Sequence, residues 1–156
     1  VRARYDAIEL AIVAAASIAN HIVVTQRLPV GLATDAQDVW LGERTSFRLP
    51  IRAERAHLMS ALEILARVNP LDKASFVDLL NRQRIHMPWG TTLVAITGRD
   101  TPELLDALAQ LVRAGFPAAL VLAQPERLAP DTRRRAAMLR VPVYPLMYEP
   151  DLETMR

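Results

Sequence analysis

Cysteine is absent from the 156 residues, which excludes disulfides, thiolate metal sites and a cysteine nucleophile and is compatible with a reducing compartment. Aromatic residues make up only 5% of the chain, too few for the stacked platforms on which single-stranded nucleic acid lies. An excess of one charge is equally missing: 19 basic against 17 acidic residues leave a formal +2, so no basic face for nucleic acid is implied. Glycine is sparse, and its 5 positions are too scattered for Gly-x-Gly-x-x-Gly or for a phosphate loop ending in Gly-Lys-Ser/Thr. No Gly-x-Ser-x-Gly elbow occurs, and His21, His57 and His86 stand far apart without a His-Glu-x-x-His context. The usual sequence signs of a nucleotide enzyme, a serine hydrolase or a zinc site are therefore missing.

What is present is apolar. A hydrophobic fraction of 51% supplies ample material for a core, and the length suits a single domain, 1–156. Residues 7–24 read as a helix buried on most sides, with Ala14, Ala15 and Ala16 lying close on a sheet and Ile8, Ile12, Ile18 and Ile22 filling the gaps. Glu9 inside this stretch and Asn20-His21 at its end argue against a membrane span, which wants about 20 clean apolar residues. Residues 28–34 then read as a strand that ends in the polar Asp35-Ala36-Gln37-Asp38. Residues 45–51 alternate polar and apolar as a half-exposed edge strand does, and the loop at 39–44 turns them back antiparallel to their neighbour.

From 52 to 68, Leu58, Ala61, Leu62, Leu65 and Val68 recur at three and four and predict an amphipathic helix stopped by Asn69-Pro70. A shorter helix follows, with Asp72 as candidate cap and Phe76, Leu79 and Leu80 on its inner face. The unbroken apolar run 93–96 lies between Gly90 and Gly98 and reads as a central strand covered on both faces. Asp100 or Thr101 then caps a helix whose first turn holds Pro102 and Glu103, and whose stripe of Leu104, Leu105, Leu108, Leu111 and Val112 ends at Gly115. A second continuous apolar strand at 118–123, a short helix from Pro130 and a proline-blunted edge strand at 141–146 complete the alternation. Strands alternating with helices predict an α/β fold with a mainly parallel open sheet flanked by helices, Rossmann-like in kind.

Three features invite a functional reading. Gly98-Arg99-Asp100 lies at a strand's carboxyl end, where α/β sheets place their ligands, although simple helix capping by Asp100 is the plainer use of it. Arg133-Arg134-Arg135 reads as a solvated helix face, and Trp89 as a ring packed under the entry to its strand.

Residues 7–21, 29–32, 58–68 and, most specifically, Pro88-Trp89-Gly90-Thr91-Thr92-Leu93-Val94 with Ile96-Thr97 resemble the DUF58 family of bacterial proteins. That family's conserved region is similar to a von Willebrand factor A domain, and the resemblance covers nearly the whole chain in order. It implies a protein-interaction module and not an enzyme, working with a MoxR-type AAA+ ATPase, cytoplasmic, and reaching a membrane only through segments upstream of residue 1. The A-domain pattern would place a partner-binding rim at Thr34, Asp35, Thr97, Arg99 and Asp100. It would also bring magnesium, held by Asp-x-Ser-x-Ser, a threonine and an aspartate. No Asp-x-Ser-x-Ser occurs here, Arg52-Ala53-Glu54-Arg55 stands where the threonine loop is expected, and Asp100 is the nearest carboxylate after the central strand.

No metal or other cofactor is therefore assigned. A magnesium-dependent module with ligands from upstream sequence is the alternative, and a small-molecule or nucleotide enzyme a weaker one. Because 1–5 lead almost directly into the first helix, the chain is expected to be the later part of an A-like domain that lacks the first central strand. The empty slot would be filled by closure or by another molecule, a homodimer included.

Overall fold

The computed structural model describes residues 2–69, 75–123 and 130–147. Its contacts divide the chain into two compact units, one of Ile12–Leu79 and one of Leu80–Arg156 with Val1–Ala11. Helix α1 (Arg2–Asn20) runs from the second of these into the first and continues as a π-helical turn, His21–Thr25.

In the unit of Ile12–Leu79 the small residues of α1 are among its most buried: Ala14 is fully buried, and Ala19 packs with Val23 and Leu58 against Val30 and Leu62. The helix is not buried on most sides as its composition predicts, because Ile12, Ile18 and Ile22 stay half-covered. Strands β1 (Val30–Asp38) and β2 (Arg44–Arg52) form the expected antiparallel hairpin, in register from Val30↔Arg52 to Gln37↔Arg44. A bulge at Gly31 interrupts it, and glycine is needed there since a Cβ would come within 3.0 Å of the Leu49 carbonyl oxygen. Burial alternates residue by residue along β2, as the period of two predicts.

Helix α2 (Arg55–Arg67) buries Leu58, Ala61 and Leu65. Val68 does not extend the helix. It turns to extended backbone and, with Asn69, forms the short strand β3, antiparallel to β1 at Gln37 and Asp38. Asp72 lies outside the described residues. Helix α3 (Phe76–Arg84) is capped instead by Ser75, whose Oγ accepts from the Asp78 N–H at 3.2 Å, and it buries Leu79 and Leu80.

The remaining elements make a parallel sheet: β4 (Leu93–Thr97), α4 (Pro102–Arg113), β5 (Ala118–Ala123), α5 (Pro130–Met138) and β6 (Val143–Leu146), in strand order β4-β5-β6. Leu93 pairs with Ala118 and Leu120 with Val143, so each βα crossover returns the chain in the same direction. Helix α4 packs on β5, its residues Leu104, Leu105 and Leu108 almost wholly buried. Among the described residues the fold is thus α/β, with five α-helices and a three-stranded parallel sheet flanked by helices, consistent with a Rossmann-like arrangement.

Two expectations change. The strands at 28–34 and 45–51 do not join the parallel sheet but form their own three-stranded sheet in the order β2-β1-β3. The run at 93–96 is an edge strand and not a central one: only Ala95 is buried, and Val94 is 37% exposed. The centre belongs to β5, where Leu120, Val121, Leu122 and Ala123 are all but sealed from water. Both strands read as continuous apolar runs, and their order depends on pairing that no local pattern reveals.

Helix α4 ends in a Schellman motif, with Phe116 N–H bonded to the Leu111 carbonyl at 3.0 Å and Gly115 N–H to that of Val112 at 3.0 Å. Gly115 takes φ +94, and a Cβ there would also meet the Trp89 ring at 3.3 Å. Gly115→Ala is accordingly expected to destabilise the protein by about 1–2 kcal/mol in urea unfolding. Gly98→Ala, where a Cβ would meet only ordinary contacts at 3.5 Å or beyond, is expected to stay within about 0.5 kcal/mol of the parent.

Candidate functional site

The carboxyl end of β4 is built from its own backbone turn. Thr97 Oγ1 accepts from the Arg99 N–H at 3.3 Å, which folds Gly98 and Arg99 outward into solvent. Thr101, in extended backbone at φ −92 and ψ 149, then caps α4 by accepting from the Leu104 N–H at 3.2 Å. Pro102 fills the first helical position and Glu103 the first turn, where a carboxylate complements the helix dipole. The cap is therefore Thr101 and not Asp100, which sits half-buried just before it. Arg99 is exposed, and among the described residues it has no carboxylate partner. The result is a short polar lip presenting one hydroxyl, one guanidinium and one carboxylate beside a helix N-terminus.

Thr34 and Asp35 do not belong to a loop tip. They lie mid-strand in β1, opposite Phe47 and Ser46 of β2, because the strand continues through the polar residues to Asp38. Of the five rim positions, Thr97, Arg99 and Asp100 are brought together by one turn, and Thr34 and Asp35 belong to the other sheet. Among the described residues no three of His, Cys, Asp and Glu are grouped to hold a metal ion, and the Thr97 hydroxyl is already engaged by Arg99.

Asp38 is a functional-looking residue that the sequence pattern passes over. Its residue is 1% exposed, and its carboxylate accepts from the N–H groups of Trp40 at 2.8 Å and Leu41 at 3.2 Å and pairs with the Arg67 guanidinium. Burial pushes its carboxyl up, but those two N–H groups and the Arg67 charge outweigh it and hold the group below the usual carboxylate range. Arg67 also lies 4.5 Å over the Trp40 ring. The signal available in sequence was Asp38 four residues before Gly42, a tight-turn spacing, but its partner Arg67 comes 29 residues later.

Trp89 departs from expectation as well. It is not packed under the strand entry but 82% exposed, one face stacked on Phe116 at 5.6 Å between centroids and 12° between planes. Near it a shallow, open depression of about 410 Å³ is lined by Val112, Gly115, Pro117, Ala118, Arg140 and Pro142. Among these described residues Arg140 is the titratable one. The arginines of α5 form the solvated face expected of them, with Arg135 bonded to Asp106 at 2.8 Å.

Fold and turn together define an α/β protein with a polar lip at the end of a parallel strand. Compared with protein-family models, with curated proteins and with solved structures, the chain matches none of them.

The depressed Asp38 carboxyl contributes stability that is present above the unfolded value, about pH 4, and is lost as pH falls through the lower folded value. Asp38→Asn is expected to lower unfolding stability at neutral pH, with the gap to the parent closing as pH drops below about 4. Urea titrations of both proteins across that range measure it.

Proposed function

We propose that the chain is a von Willebrand factor A-like interaction module of DUF58 type, acting by binding a protein partner and not by catalysis. Its partner in this reading is a MoxR-type AAA+ ATPase, met in the cytoplasm, and its contact surface is the lip of Thr97, Arg99 and Asp100. The observation that carries the proposal is the turn after β4: an exposed Arg99, without a carboxylate partner among the described residues, whose backbone N–H is held by the Thr97 hydroxyl at the mouth of α4. Open α/β sheets place their ligands at this end of the strands. An exposed arginine whose backbone is fixed by a turn is a frequent binding anchor.

One further feature supports the reading. Strand β4 ends its sheet, the position at which an A-like fold would add its first central strand.

Arg99→Glu is expected to weaken binding of a purified MoxR-type ATPase by about tenfold or more, with the melting temperature unchanged. Isothermal calorimetry on parent and variant decides it. Equal affinities would remove the lip from the contact, and absence of binding by the parent chain would remove the partner.

A further inference from the structure

The turn that joins β1 to β2 displays three large apolar side chains in succession: Val39 is 51% exposed, Trp40 76% and Leu41 65%. The tip is held rigidly. Asp38 accepts from the backbones of Trp40 and Leu41, Gly42 at φ +68 donates to the Asp38 carbonyl at 2.8 Å, and Gln37 Nε2 reaches the Gly42 carbonyl at 2.8 Å. Closing a hairpin needs only two polar turn residues, so the fold does not require this apolar display.

Behind the tip, the outward positions of β2 are Arg44, Ser46, Arg48, Pro50 and Arg52, all exposed. Four residues of strand separate successive arginines by about 14 Å along one face. Among the described residues none of the three has a carboxylate partner. Glu43 at the turn and the half-buried Asp35, opposite Ser46, are the acidic groups nearest that face on the hairpin.

We propose that this hairpin docks on an anionic lipid surface, with Val39, Trp40 and Leu41 entering the headgroup boundary and Arg44, Arg48 and Arg52 meeting lipid phosphates. A bilayer suits a convex apolar tip because it imposes no shape of its own, whereas a protein partner would have to supply a fitted groove. Tryptophan favours the depth at which headgroups meet acyl chains. Charge complementarity selects the anionic surface, each arginine near it strengthening partition by about fivefold. One helical stretch among the described residues, Ala7–Thr25, is also long and apolar enough to cross a membrane, by length and composition, and is a rival source of any lipid binding.

The test uses the chain with Trp89→Phe, which leaves Trp40 as its single tryptophan, since the sequence has 2. Mixed with phosphatidylcholine–phosphatidylglycerol vesicles, the protein is expected to sediment with them, its emission shifting to the blue and its quenching by iodide falling. Vesicles of phosphatidylcholine alone leave both unchanged. Adding Arg44→Glu and Arg48→Glu lowers the partition by at least about fivefold per position, and raised salt weakens it likewise. Adding Trp40→Ser with Leu41→Ser abolishes sedimentation. Unaltered Trp40 emission and quenching on anionic vesicles would overturn the proposal without any change at the tip. Undiminished sedimentation of the doubly substituted tip would overturn it too, assigning the binding to residues 7–25.

Discussion

Everything in the parallel unit depends on the burial of β5. Its six residues are bonded on one side to β4 and on the other to β6, and four of its side chains are essentially withdrawn from water. A strand enclosed in this way must be apolar on both faces, which is why the sequence there is Ala-Ala-Leu-Val-Leu-Ala without a polar interruption. The leucines of α4 are shielded by the same surface, and that helix fixes where its N-terminus falls. The position of Thr97, Arg99 and Asp100 is thus a consequence of packing two elements away from them. A lip whose base is fixed by a core strand keeps its shape, while its exposed arginine is left to meet whatever it meets.

In the other unit the corresponding constraint is electrostatic. The buried Asp38 carboxylate ties the hairpin turn to the end of α2 through Arg67 and at the same time organises the backbone of the turn itself. Because a buried carboxylate is tolerated only when its oxygens are satisfied, the turn geometry and the helix terminus are determined together. The apolar tip rides on this arrangement, so its exposure is a built feature and not looseness.

Patterns with a local cause were legible in the sequence. The alternation of β2, the stripe of α4, the glycine stop at 115 and the apolar run of β5 each follow from a period or a backbone preference confined to one segment. What was not legible depends on distant partners. Residues 35–38 are polar and read as a loop, yet they extend β1 because Asp38 finds Arg67 and because β3 pairs with Gln37 and Asp38. Strand β4 reads as central because its residues resemble those of β5, and only the pairing order places it at an edge. Of the five expected rim residues, the closeness of Thr97, Arg99 and Asp100 was readable from the strand-to-helix transition alone. Thr34 and Asp35 were misplaced with the end of their strand. Between adjacent cap formers, Asp100 and Thr101, composition gives no ground for choice, and the geometry selects Thr101.

The claim on which the account rests is that β5, and not β4, is the spine of the parallel sheet. Native-state amide hydrogen exchange tests it most directly. Alternation along the pair, with Leu93 N–H bonded to the Pro117 carbonyl at 2.8 Å, points the amides of Val94 and Ile96 away from β5. Slow exchange is predicted for Leu120, Val121 and Leu122, opening only with global unfolding, against exchange orders of magnitude faster at Val94 and Ile96. Equal protection along both strands would place β4 inside the sheet and contradict the architecture.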